Sequence, residues 1–220
     1  MLGLELARPG PYRVLALGAH SDDIEIGCGA VMLALQRAHE VHVTWVVFGA
    51  SGTRAAEARA SADELLADAA SRQVVCHEFR DGFFPYVGGG IKEVFESLKS
   101  DLDPDIIFTH TRSDLHQDHR LICELTWNTW RNHLVLEYEI PKYDGDLGSP
   151  NAFVPVSSDV AHEKAQLLVR HFASQRDKHW FSEDLFLGLM RVRGAEARSP
   201  SGYAEAFFAR KLVLTTGESP

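Results

Sequence analysis

The sequence has little cysteine, a deficit of positive charge and no long apolar run, and each shortage closes a class of function. Three cysteines in 220 residues, Cys28, Cys76 and Cys123, stand at wide and irregular spacing without a Cys-x-x-Cys pair. Neither a disulfide framework nor an all-cysteine metal site fits that pattern, and the thiols read as buried structural groups. Lys and Arg number 22 against 31 Asp and Glu, a formal net charge of -9, so the positive footprint that a phosphate backbone requires is missing and nucleic acid is not an expected partner. No apolar run approaches the roughly 20 residues of a membrane span. Glu5, Arg8, Pro9, Pro11 and Arg13 interrupt the stretch where a secretory signal needs continuous apolar sequence, so a cytoplasmic protein is expected.

What is present is an alternation of strand and helix patterns. Short runs rich in β-branched and apolar residues, at 12–18, 41–48, 74–79, 105–109 and 133–140, read as strands. Segments at 26–37, 54–70, 91–100, 118–131 and 158–172 read as helices by apolar spacing and by their Ala, Leu and Glu content. Ala152 to Val156, which contains Pro155, reads as an edge strand after a loop at 141–150, and the last forty residues give no clear pattern. Such alternation predicts an α/β fold: a three-layer, Rossmann-like, mainly parallel sheet with helices on both faces. The length suits one domain over 1–220, with the segment from about 158 packing on the core. With strand order 3-2-1-4-5, the first and fourth strands are neighbours, and a crevice opens at their carboxyl ends.

Two unusual clusters sit just past those two strands. The first is His20-Ser21-Asp22-Asp23 followed by Glu25 and Gly27-Cys28-Gly29. A dinucleotide-binding turn is rejected, because Asp22, Asp23 and Glu25 repel a pyrophosphate, whereas three carboxylates and an imidazole suit a cation. The second is Asp114-Leu115-His116-Gln117-Asp118-His119, preceded by His110; its i, i+3 histidines face one side of a helical turn. Helix capping explains Asp118 alone and not the density of the cluster. Two histidines and one aspartate drawn from both clusters make the three-ligand set of a catalytic zinc, with Fe2+, Co2+ or Mn2+ as other candidates.

These motifs resemble those of the LmbE-like or PIG-L family of zinc-dependent N-deacetylases. Ala19-His20-Ser21-Asp22-Asp23 with Gly27-Cys28-Gly29 matches the first motif, with serine in place of proline, and His116 to His119 matches the second, His-x-Asp-His. The resemblance implies one zinc held by His20, Asp23 and His119, Asp22 as general base, and His116 as the group that stabilises the oxyanion or protonates the amine, oriented by Asp118. It implies an N-acetylated sugar or sugar conjugate as substrate, with Arg54 and Asp81 placed as holders of sugar hydroxyls; Arg54 also reads as a surface charge paired with Glu57. Asp114 stands where some relatives carry a tyrosine, and is assigned to the substrate wall or to a histidine.

Phe83-Phe84-Pro85-Tyr86 reads as packing more readily than as an acyl or aglycone pocket, and the scattered histidines, His179 among them, read as surface or core groups. Two other readings compete: a different metallohydrolase of amidase or metallo-β-lactamase type, and a silent sugar-binding protein. A homo-oligomer is compatible with the sequence.

Overall fold

The computed structural model describes residues 3–6 and 10–213; Arg8 and Pro9, used above against a signal sequence, lie outside the described residues. Its single sheet has seven strands: β1 (Tyr12–His20), β2 (Val41–Gly49), β3 (Ser71–Cys76), β4 (Ile106–His110), β5 (Leu134–Tyr138), β6 (Ala152–Val156) and β7 (Tyr203–Phe208). They run in the order β3-β2-β1-β4-β5-β7-β6. The first five strands pair in parallel, while β7 enters antiparallel between β5 and β6.

Side-chain alternation along the strands divides the core in two. Val14, Ala16, Val43, Trp45 and Phe108 pack under α1 (Asp23–Ala38), α2 (Gly52–Leu65), α5 (Ser158–His171) and α6 (Glu183–Ala197). Leu15, Leu17, Val46, Phe48 and Ile107 face the other way, onto α3 (Gly88–Asp101) and α4 (Gln117–Thr129). The sheet is thus covered on both faces, as the alternation predicts, and no helix among the described residues is long and apolar enough to cross a membrane.

Three departures from the sequence reading matter. β3 lies at Ser71–Cys76 rather than 74–79, because an edge strand paired only with β2 tolerates the exposed Ser71, Arg72 and Gln73 that carry no apolar signal. α6 and β7 lie in the segment that gave no pattern: Ser182 Oγ accepts the Leu185 amide at 3.3 Å to start α6, Arg198 ends it with a left-handed backbone at φ 54°, and β7 is held by pairing with β5 and β6.

The third departure is at the site. α1 starts at Asp23, three residues before the expected 26, and breaks at Cys28, whose φ of -144° is not helical. Glu205 of β7 accepts the freed amides of Ala30 and Val31 at 3.0 and 2.7 Å, and Lys164 of α5 bridges the Ile26 carbonyl at 2.6 Å to Glu205 at 2.5 Å. The first turn of α1 is thereby aimed independently of the rest of the helix.

Candidate functional site

β1 and β4 end side by side, and because they are parallel their last residues, His20 and His110, meet at one edge of the sheet. α1 leaves β1 through Ser21 and Asp22, and α4 begins at His116, which serves as its N-cap. These two turns bring the distant clusters into contact.

Three atoms converge. His20 Nδ1 lies 3.1 Å from His119 Nε2 and 3.4 Å from Asp23 Oδ2, and His119 Nε2 lies 3.6 Å from the same oxygen. A tetrahedral ion with ligands at about 2.0–2.2 Å separates its donors by roughly 3.3–3.6 Å, so the triangle has the right size to hold one. The chemistry of the donors fits as well. The far nitrogen of each ring faces a carboxylate: His20 Nε2 is 3.1 Å from Asp81 and 3.3 Å from Asp118, and His119 Nδ1 is 2.8 Å from Asp114. A carboxylate behind the outer nitrogen is the arrangement that turns the inner nitrogen of a histidine toward a metal. His110, His116 and Asp81 stand close enough to enter other groupings of possible ligands, Asp23-His110-His119 and His20-Asp81-His116-Asp118.

The electrostatics follow from burial and these contacts. Burial opposes a charge on His20, but hydrogen bonds to Asp118, Asp23 and Asp81 outweigh it and raise its pKa well above 6.5. Burial and the neighbouring His110 push His119 down to about 3 despite Asp23 and Asp114. Asp23, although buried, is held well below the usual carboxylate range by His119, His110 and His20. Asp22 moves the other way, raised by burial and by the charge of Asp23 against the pull of Arg54, Lys178 and His20. Adjacent carboxylates are thus divided, one firmly anionic and one a stronger base.

Each remaining expected residue has a definite place. Arg54 Nη1 donates to Asp81 at 3.1 Å, Arg54 Nε donates to Ser21 at 3.2 Å, and Nη2 stands 3.8 Å from Asp22, so Arg54 and Asp81 form one rim of the site. Glu57 is not Arg54's partner; it accepts the amide and hydroxyl of Ser174. His116 Nδ1 accepts the Asp118 amide at 3.3 Å, which leaves Nε2 to carry the proton of a neutral ring. The expected contact between the Asp118 carboxylate and His116 is replaced by others: Asp118 accepts the amides of Gly82 at 2.6 Å and Phe84 at 3.1 Å while facing His20.

Of the two readings of Asp114, the structure favours the histidine partner over the substrate wall. The residue is 1% exposed, and its oxygens take His119 Nδ1, the His116 amide at 2.8 Å and Lys142 Nζ at 3.0 Å, which leaves no face for a substrate. Glu25 is no part of the cation cluster either. Its carboxyl is buried beside Ser61 without a hydrogen-bond partner, and burial pushes its pKa up to about 8. Phe84 is core, as expected, although Phe83 and Tyr86 are exposed.

Three residues had no role in the sequence reading: His110, named with the second cluster but assigned no task, and Lys142 and Lys178, which were not singled out. His110 accepts the Ala19 amide at 2.9 Å, stacks on His119 with centroids 3.9 Å apart, and stands 3.2 Å from Asp23. Lys142 pairs with Asp114, and the charge of Lys178 reaches Asp22. Being the last residue of a strand was a usable signal for His110; the two lysines lie in segments without a motif.

The sequence matches the family described as PIG-L: GlcNAc-PI de-N-acetylase over residues 15–130, a span that contains both clusters. The chain belongs to this de-N-acetylase family. Solved structures share the fold: the conserved protein TT1542 from Thermus thermophilus superposes with a TM-score of 0.72 at 17% identity, covering 96% of this chain and 100% of that one. The N,N'-diacetylchitobiose deacetylase from Pyrococcus horikoshii gives 0.66 at 20% identity over 89% and 82% of the two chains. The A40926 pseudoaglycone deacetylase Dbv21 gives 0.67 at 21% identity over 90% and 96%. No curated protein matches the sequence significantly. Within the de-N-acetylase family, the parallel sheet sets this chain apart from the β-sandwich expected of a metallo-β-lactamase fold.

Proposed function

We propose that this de-N-acetylase family member hydrolyses the acetamide of an N-acetylglucosamine-like substrate, with one divalent ion, zinc by preference and otherwise Fe2+, Co2+ or Mn2+, held by His20, Asp23 and His119. The observation that carries the reading is the triangle of His20 Nδ1, Asp23 Oδ2 and His119 Nε2, each imidazole backed by a carboxylate on its far side. When bound, such an ion lowers the pKa of a water and polarises a carbonyl oxygen.

The chain's own groups supply the rest. Asp22, next to Asp23 and flanked by Arg54, takes the proton of the attacking water and returns it to the leaving nitrogen, so acetate and a free amine result. His116 donates Nε2–H to the oxyanion that develops on the acetamide; its tautomer is set by the Asp118 amide, so no charge on the ring is needed. Asp118 acts through others, fixing the loop at Gly82 and Phe84 and the ring of His20. Arg54 and Asp81 present a guanidinium and a half-exposed carboxylate to vicinal hydroxyls.

The test is acetate release from a panel of N-acetyl sugars by the zinc-loaded protein. Release is expected from a glucosamine derivative, and Asp22→Asn should abolish it with zinc still bound. Full activity in Asp22→Asn would remove the proposed base, and no release from any amide would favour a silent sugar-binding protein.

A further inference from the structure

β5 runs parallel to β1 and β4, so the segment that follows it leaves the sheet at the same edge as His20 and His110. That segment does two things. Its inner side is tied to the site, because Lys142 bonds Asp114 at 3.0 Å and Asp146 at 2.5 Å, and Asp146 accepts the amide of Leu115, the neighbour of His116, at 2.7 Å. Its outer side forms one wall of an open cavity of about 450 Å³ whose other wall is residues 179–185. Lys178, next to that second wall, lies over the Trp180 ring at 5.2 Å. The first wall is therefore anchored beside His116 and its neighbours.

We propose that this cavity is the subsite for an apolar substituent of the amide substrate, a group of alkyl or aryl character carried on the acyl side or on the sugar's aglycone; the proposal rests on the amide-hydrolase reading above. The size falls within the range of about 300–1,000 Å³ typical of small-molecule pockets. The chemistry of the walls selects the occupant. Pro141, Tyr143, Leu147, Trp180 and Leu185 give a mainly apolar lining. The ionic groups there, Lys142 and Asp146, are engaged with each other and with Asp114 and Leu115, so a polyhydroxylated ring would find few free partners. Tyr143 is 70% and Leu147 45% exposed, and covering them gives an apolar group its gain. Sugar hydroxyls have the Arg54 and Asp81 pair, which is no part of this lining.

The experiment compares kcat/KM for N-acetylglucosamine, its hexyl β-glycoside, N-hexanoyl-glucosamine and N,N'-diacetylchitobiose, in the zinc-loaded protein and in Tyr143→Ala and Leu147→Ser. One hexyl arm should exceed the parent sugar by about tenfold, the arm identifying the source of the substituent, and that ratio should fall to about threefold or less in both variants. No gain in either arm, a gain that survives both substitutions, or a larger gain from the second sugar ring would overturn the subsite. Calorimetric titration with hexyl β-glucoside and with hexanoate keeps the two claims apart, since neither is an amide substrate. Saturable binding of one of them, weakened about fivefold by Tyr143→Ala, supports the subsite even where no amide is cleaved; no saturable binding of either overturns it.

Discussion

His20 and His119 each have a carboxylate on the outward nitrogen, and this pairing decides which nitrogens face inward. Asp114 is the partner of His119, held in turn by Lys142 and the His116 amide. Asp114→Asn is therefore expected to weaken zinc binding by about 10- to 100-fold in a chelator competition, whereas Asp22→Asn, which removes no outward partner, should change it far less. The pairing also explains what could be read in advance. His20, Asp22, Asp23, His116, Asp118 and His119 are legible because each lies within three residues of another member of its cluster. Lys142 is not, because its partner Asp114 is 28 positions earlier in sequence and no local pattern connects them. Asp114 was visible with two readings, the substrate wall or a histidine, and the direction of His119 Nδ1 selects the second.

At the scale of elements, the first turn of α1 depends on contacts made by other elements. Gly27 packs against the ring of Tyr138, where an added Cβ would come within 2.2–2.8 Å of ring carbons, and Tyr138 is itself fixed by donating to the Leu17 carbonyl at 2.6 Å. Gly27→Ala should destabilise by about 1–3 kcal/mol or more in denaturant unfolding, through overpacking against a ring that has nowhere to move. Behind the same turn, Glu205 and Lys164 form a buried ion pair that also caps the broken helix. Glu205→Ala leaves Lys164 buried without its partner, and a loss of about 3–5 kcal/mol is expected in the same measurement. The Gly27-Cys28-Gly29 sequence announced a special backbone here. It did not announce Glu205, which lies in β7, a strand whose Tyr-Ala-Glu-Ala-Phe-Phe sequence carries a buried charge where a core strand usually has an apolar side chain.

For the molecule as a whole, the five parallel strands were legible from their apolar runs and from the helices between them, while the antiparallel insertion of β7 between β5 and β6 was not, since strand order beyond the alternating region leaves no periodic trace. Global stability should report both the metal and the pH. A ligand that binds only the folded chain adds stability by mass action, so chelation should lower the melting temperature and restored zinc should raise it in proportion to the logarithm of its concentration. His77, stacked on Phe48 with centroids 5.8 Å apart, has its pKa lowered from 6.5 by burial. Its protonation therefore favours the unfolded chain: the stability it contributes is complete above pH 6.5 and is lost as pH falls below that value. His77→Phe should accordingly flatten the decline in melting temperature between pH 7 and pH 5, and an unchanged slope would remove His77 as its source.

The capping of α1 by Glu205 also sets an order of events during synthesis. A nascent chain displays His20, Asp23, His116 and His119 as soon as residue 119 has been made. Until residue 205 emerges, the amides of Ala30 and Val31 lack the carboxylate that ends their exposure, and β5 and β6 have no strand between them. The ligands are thus translated early and aligned late, so the growing polypeptide carries the motifs of a metal site well before it has the geometry of one, and maturation of the centre is coupled to delivery of the final strand.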